Sequence, residues 1–344
     1  MANLSTNYMG LTLRNPIIAG SSGLTNTLDE LKKIADKGAG AVVLKSIFEE
    51  QIRHETEKMI QGQSGSIEPM SKGYQDILSQ RPYDYAEAFG YIADFAREHT
   101  LKDYLTFIET AKKTIDIPVI ASINCVTPYD WHYFARRIQS AGADALELNV
   151  YVLPSNPVKS SQDNESIFFD VAKAVLQQVS LPVSVKVSYY FSGLSKTLID
   201  LSNTGIKGLV LFNRPFHPDI NIDTQEITST NLLSHPSEYA HALRWIAILS
   251  GRAGCDLAAS TGIHDYEAVV KHLLAGATAV QLASVLYKHG FDAIANILKD
   301  LEKWMDDKGY STIDEFRGNM NQARQENPAV YDRVQFMRLY SKIF

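Results

Sequence analysis

The sequence predicts a (β/α)8 barrel, on three observations. Short apolar runs recur eight times, amphipathic segments with helix start and stop signals separate many of them, and no G-x-G-x-x-G turn follows the first run. Runs that are apolar almost throughout, alternating with helices, belong to a parallel sheet covered by helices. Eight such units favour a closed barrel over an open doubly wound sheet, whose dinucleotide turn is missing.

The eight runs are NPIIAG from Asn15, AVVLKS from Ala41, PVIASIN from Pro118, ALELNV from Ala145, PVSVKVS from Pro182, GLVLFN from Gly208, DLAAS from Asp256 and AVQLAS from Ala279. After the first, Thr27 and Glu30 form a capping-box pattern ahead of Leu28, Leu31, Ile34 and Ala35, and Gly38 supplies the stop. After the third, Thr127 and Pro128 open a helix whose Trp131, Phe134, Ala135 and Ile138 share one face before Gly142. Residues 49–100 and 214–235 are too long for simple βα connections. Both follow the C-terminal end of a strand, where barrels carry their active sites, so they read as lid insertions. The whole chain, residues 1–344, reads as one barrel domain. A C-terminal extension over 327–344 carries Val330, Val334, Phe336 and Leu339, enough apolar surface to pack on the barrel or on a second subunit.

Composition narrows the functional classes. The 344 residues are 45% apolar and 21% charged, with a formal net charge of −6 and no cluster of Lys and Arg, which argues against a phosphate-seeking nucleic-acid surface and for a small-molecule substrate. The N-terminus MANLSTNYMG carries no basic-plus-apolar leader and no run approaches the length of a membrane span, so the expected location is cytoplasmic, away from the membrane. Only Cys125 and Cys255 occur, too few for a disulfide framework or a cysteine-ligated metal or iron–sulfur site. No metal is expected, and any redox chemistry must come from a bound cofactor.

Polar residues end the strands. Lys45 closes the second run, Asn124 the third, Asn149 the fourth, Lys186 the fifth and Asn213 the sixth. Each alone could be a solvated strand end; five on one rim suit a planar, hydrogen-bonding, phosphorylated cofactor, because lysines facing a barrel mouth are costly without an anionic or polar partner. The last two strands are the usual phosphate end of a barrel. Ser260, Thr261 and Gly262 precede one helix there and Ala283 and Ser284 the next, so N–H groups and hydroxyls converge on an anion.

These residues resemble the dihydroorotate dehydrogenase family of FMN-dependent barrels over most of the chain. NPIIAGSSG resembles that family's opening segment, GAVVLKS its second strand with the flavin lysine, and ELN its fourth. HLLAGATAVQLASVLYKHG and KGYSTIDEFRGNM resemble its closing segments. The resemblance implies FMN contacts from Ala19, Lys45, Ser46, Asn124, Asn149 and Lys186, and a phosphate held by Thr261, Gly262 and Ser284. It further implies an oxidoreductase acting on CH–CH groups in pyrimidine biosynthesis, with hydride passing from dihydroorotate to flavin N5, and a homodimer.

Two departures stand out. The family's fourth-strand loop carries a Cys or Ser base, whereas ELNVYVLPSN puts Val152 or Leu153 there. Cys125 should point into the helix layer by strand alternation and Cys255 should lie at the opposite end of the barrel. Tyr151, Ser155 and the more distant His217 remain as candidate catalytic groups. The family's substrate-binding N-S-M-G-L-P-N segment also has no counterpart between Ile47 and Leu101, while Arg214 follows Asn213, so both become candidate substrate ligands, Arg214 as a carboxylate clamp. Alternatives are a same-fold flavoenzyme for another small unsaturated or carboxylate substrate, a Schiff-base aldolase using Lys186 or Lys45, and a flavin binder without turnover. The electron acceptor is expected to be a soluble molecule or a separate protein.

Overall fold

The computed structural model describes residues 2–48, 101–124, 130–214, 217–229 and 232–332. An antiparallel hairpin comes first, β1 (Thr6–Tyr8) and β2 (Leu11–Leu13). Met9 at φ 55° and Gly10 at φ 80° make its two-residue turn, both in the left-handed region that such hairpins require.

The barrel strands follow: β3 (Ile17–Ala19), β4 (Ala41–Val43), β5 (Ile47–Phe48), β6 (Val119–Asn124), β7 (Ala145–Asn149), β8 (Val183–Val187) and β9 (Gly208–Leu211). After the exposed antiparallel hairpin of β10 (Pro218–Asn221) and β11 (Glu226–Ser229) come β12 (Asp256–Ser260) and β13 (Ala279–Leu282). The order β4-β3-β13-β12-β9-β8-β7-β6-β5, with a further β4–β6 pairing, closes the sheet, and each neighbouring pair is parallel. Because β4 and β5 are two parts of one interrupted strand against β6, the closed sheet is an eight-strand (β/α)8 barrel. All eight apolar runs become barrel strands.

Helices cover the outside. Helix α1 (Leu28–Asp36) starts where Thr27 Oγ1 accepts the Glu30 N–H at 3.3 Å, buries Leu31, Ile34 and Ala35, and gives way to Gly38 at φ 96°. The Glu30 carboxylate completes the cap by accepting the Thr27 hydroxyl rather than the Thr27 N–H. Helix α2 runs over 101–114, and α3 (Asp130–Ser140) buries Trp131, Phe134, Ala135 and Ile138. Thr127, Pro128, Cys125 and the 49–100 insertion lie outside the described residues, as do Val334, Phe336 and Leu339; Val330 is exposed. Helices α4 (Ser161–Leu176), α5 (Leu194–Ser202), α6 (Tyr239–Leu249), α7 (Tyr266–Ala275), α8 (Ser284–His289) and α9 (Asp292–Lys308) complete the layer. A short helical turn at Ala329–Asp332 follows. Among the described residues no helix is long and apolar enough to cross a membrane.

Two apolar clusters result. The larger lies between sheet and helices. The smaller fills the N-terminal end of the barrel: Ile18, Ala41, Val43, Ile120, Ala145, Val210, Ala258 and Ala279 point inward, and Tyr8, Met9 and Leu13 of the first hairpin plug them from below. The Met9 N–H donates to Asp256 Oδ2 at 2.7 Å, which pins the plug to β12. Gly208 permits the close approach, since a Cβ there would sit 3.0 Å from the Tyr8 hydroxyl and 3.2 Å from Met9 Sδ.

His272, fully buried on α7, donates from Nδ1 to the Ala268 carbonyl at 2.7 Å. Burial lowers its pKa to about 4, from an ordinary value near 6.5. The unfolded chain therefore takes up more protons than the folded one between those values, so stability present above about pH 6.5 is lost as the pH falls towards 4. The contribution at pH 5 is about 2 kcal/mol. In His272→Leu the loss of stability between pH 7 and pH 5, read from urea midpoints, should shrink by about that amount; an unchanged pH dependence would refute the assignment.

Candidate active site

Alternation along parallel strands decides what faces the barrel mouth. Since Ala145 points inward, so do Glu147 and Asn149 on β7; since Ile120 does, so do Ser122 and Asn124 on β6. Asn149 stands beside Lys186 in the β7–β8 register, and Lys186 is only 8% exposed. The Asn213 amide donates to Asn149 Oδ1 at 2.8 Å, linking two strand tips across the rim. Lys45 is half-buried at the end of β4, and its ammonium forms no hydrogen bond or ion pair with any described residue. Ser46 ties neighbouring strands together, its hydroxyl 2.7 Å from that of Ser122 and 3.1 Å from that of Ser21. Ala19 packs in the outer cluster, so its side chain lies on the helix side of β3.

Below this rim lies a charged layer. Lys186 Nζ donates to Gln281 Oε1 at 2.9 Å, the Gln281 amide donates to Glu147 Oε2, and Lys186 Nζ stands 3.9 Å from Glu147 Oε1. Glu147 is 1% exposed and its Oε1 has no hydrogen-bond partner. Sequence reasoning passed over Glu147 and Gln281 because they sit inside runs read as apolar. The signal was present: each shares alternation parity with an inward residue of its strand, Ala145 and Ala279.

At the far side of the mouth Thr261 and Gly262 take φ 80° and 75°, and the Thr261 hydroxyl donates to the Phe212 carbonyl at 3.2 Å. The Gly262 N–H reaches Ser234 Oγ at 3.3 Å, and the Ser234 N–H donates to Ser284 Oγ at 2.9 Å. Lys288 Nζ donates to the Ser234 carbonyl at 2.8 Å, and His264 Nε2 lies 3.1 Å from Ser234 Oγ. Burial and then Lys288 push the His264 pKa down, so this ring is neutral at pH 7. The two turns expected to hold an anion are thus joined through Ser234.

A cavity of about 50 Å³ opens beside the first of these turns, lined in part by Asn213, Arg214, His217, Glu238 and Thr261. Arg214 Nε donates to Glu238 Oε2 at 3.0 Å and Nη1 to the Leu232 carbonyl at 3.0 Å. Burial acts to raise the Glu238 carboxyl, but hydrogen bonds from Arg214 and the His235 N–H hold it below its ordinary value. Beyond Val150 the fourth-strand loop leaves the barrel: Tyr151 is 39% and Leu153 51% exposed, Ser155 is exposed, and Val152 packs on the outer cluster. Burial and Tyr190 raise the Tyr151 pKa, so this phenol stays protonated at neutral pH; the two rings meet edge-on at 6.5 Å. Cys255 precedes β12 at the plugged end, where burial pushes its thiol up to about 12.

A closed parallel barrel with lysines and amides at its mouth and N–H-bearing turns after its last strands defines a cofactor-dependent barrel enzyme. The family model described as Dihydroorotate dehydrogenase matches residues 3–305, and the chain belongs to that family of flavin-dependent oxidoreductases. It is similar to proteins named dihydroorotate dehydrogenase B (NAD(+)), catalytic subunit. That of Pyrococcus abyssi is 26% identical over 321 residues, covering 92% of this chain and 98% of the relative. That of Thermoplasma acidophilum is 27% identical over 329 residues, covering 92% and 99%. That of Methanocella arvoryzae is 28% identical over 321 residues, covering 92% and 97%.

Gly262 gives a direct test of the turn after β12. A Cβ built there would lie 2.2 Å from the Tyr239 N at the start of α6, at a φ that side chains rarely adopt. Gly262→Ala should destabilise the protein by roughly 2–5 kcal/mol in denaturant titration. A loss under about 1 kcal/mol would show that the turn can move away from α6.

Proposed function

We propose that this chain is an FMN-dependent catalytic subunit that oxidises dihydroorotate, or a closely related cyclic carboxylate, and passes the electrons to a separate acceptor. The observation that carries the reading is the convergence of Lys45 and Lys186 with the Asn149–Asn213 amide pair on one barrel mouth. Family membership supports the chemistry, and the relatives' printed description as catalytic subunits supports a partner protein.

The donor set fits FMN. Lys45, Lys186, Asn124 and Asn149 offer two ammonium groups and two amides to a polar ring edge and ribityl chain, Ser46 and the Ala19 backbone would line the same side, and the turns of Thr261, Gly262 and Ser284 would hold the phosphate once the Gly262 N–H and the Ser284 hydroxyl exchange Ser234 for it. When bound, FMN supplies the two-electron acceptor. Lys186 is already held in the barrel interior, so stabilising added negative charge requires little reorganisation. Arg214 takes a substrate carboxylate by exchanging it for the Glu238 carboxylate, and Asn213 orients the ring beside it. Proton removal falls to Tyr151, Ser155 or His217; among these His217 lines the cavity that Asn213 and Arg214 also line. Residues 1–344 act as one barrel domain in the cytoplasm, as a homodimer.

Heat release followed by chromatography should yield FMN; recovery of FAD, or of no flavin after reconstitution, would sink the proposal. Lys45→Ala should weaken flavin retention or lower the flavin midpoint potential, and unchanged values for both would remove Lys45 from the site.

Stopped-flow reduction of the flavin by dihydroorotate identifies the base. Removing the working group should slow reduction by about 10²–10⁴. If that group is His217, His217→Ala alone slows reduction by that factor, while Tyr151→Phe and Ser155→Ala leave the rate within about threefold of the parent. No reduction in the parent would move the enzyme to another substrate.

A further inference from the structure

The carboxylate of Glu147 has no place in the reading above, and its surroundings are unusual. It is 1% exposed inside the barrel, one turn of the pleat below Asn149, and Oε1 lacks a hydrogen-bond partner. Its counter-charge, Lys186, is 8% exposed. The two ends do not touch: 3.9 Å separates Lys186 Nζ from Glu147 Oε1. Gln281 holds both, its carbonyl accepting from Lys186 at 2.9 Å and its amide donating to Glu147 Oε2.

Three arrangements were open to a lysine in this place. Without an opposite charge, burying the ammonium would be costly. In a contact ion pair, its donors would be turned down into the barrel. Held by an amide just beyond contact with a carboxylate, it keeps an opposite charge beside it while its hydrogen bond goes to a neutral partner. The third is the arrangement observed.

We infer that Glu147 is a positioning residue that sets the reduction potential of the flavin, its carboxylate serving as the counter-charge that Gln281 holds just out of contact with Lys186. The inference rests on the FMN reading. Carboxylate and ammonium together are close to neutral, so Lys186 offers a partly compensated cation to the cofactor. Loss of the carboxylate charge leaves the cation uncompensated, and reduction, which adds negative charge nearby, becomes easier.

The test is the midpoint potential of the FMN-loaded protein at pH 7, measured anaerobically against reference dyes, in the parent and three variants. Glu147→Gln should retain flavin and raise the potential by at least the tenfold equivalent for a two-electron couple, about 30 mV. In a Lys186→Met background the same substitution should move the potential by less than half as much, because the carboxylate acts through the lysine. Gln281→Met keeps both charges and removes the spacer, so Lys186 closes on Glu147 and the potential falls. An unchanged or lowered potential in Glu147→Gln, or an equal shift with and without Lys186, overturns the inference. If Glu147→Gln does not accumulate as folded protein, Gln281→Met decides alone, and an unchanged potential there overturns it. A merely structural role predicts lost stability or flavin content at an unaltered potential. A parent that takes up no FMN fails the cofactor reading itself, whereas a parent that binds FMN while the variants keep its potential fails only the role given to Glu147.

Discussion

Every second residue of a strand in a closed parallel barrel must point into a cylinder that water does not enter freely. In this chain that constraint divides the interior into two floors. The lower is apolar, from Ile18 round to Ala279, and is completed by Tyr8, Met9 and Leu13. The upper carries Glu147, Lys186, Gln281, Ser122 and Asn149, whose polar atoms, Glu147 Oε1 apart, bond to one another, to the rim or face the mouth. Because the division follows from strand register, moving any strand by one residue would exchange its floor for the helix layer. The chemistry of the mouth is therefore fixed by the same pairing that holds the fold.

Much of this was legible in the sequence. Eight apolar runs between helix signals are a long-range pattern that tertiary context does not override, and the polar tips could be located by counting to the end of each run. The first hairpin was not legible, because TNYMGLTL is short and its turn depends on Met9 adopting positive φ, a conformation non-glycine residues rarely take. Glu147 and Gln281 were hidden for the opposite reason: charged and amide groups inside buried strands look like interruptions until their partners are known. The role of Ser234 could not be read at all. Its link between Gly262 and Ser284 joins residues 28 and 50 positions away in the chain.

The fourth-strand loop shows how a departure from a family pattern takes structural form. Once Val150 is buried and bonded back to Lys186, the chain turns outward, and Tyr151 through Lys159 are exposed apart from half-buried Val152. A loop that leaves the mouth so early gives little cover to chemistry beneath it. The aromatic group of Tyr189, Tyr190, Phe212 and His241 stands on the neighbouring side, with Tyr189 stacked on His241 at 5.5 Å. Among the described residues, rings from the ends of the fifth and sixth strands and from α6 therefore pack together where the fourth-strand loop turns away.

The hairpin plug has a consequence for traffic. With Tyr8, Met9 and Leu13 buried under the barrel and pinned to Asp256, the N-terminal end of the barrel is filled among the described residues. A small molecule bound among the strand tips is therefore held over a closed floor, and any movement it makes is towards the mouth.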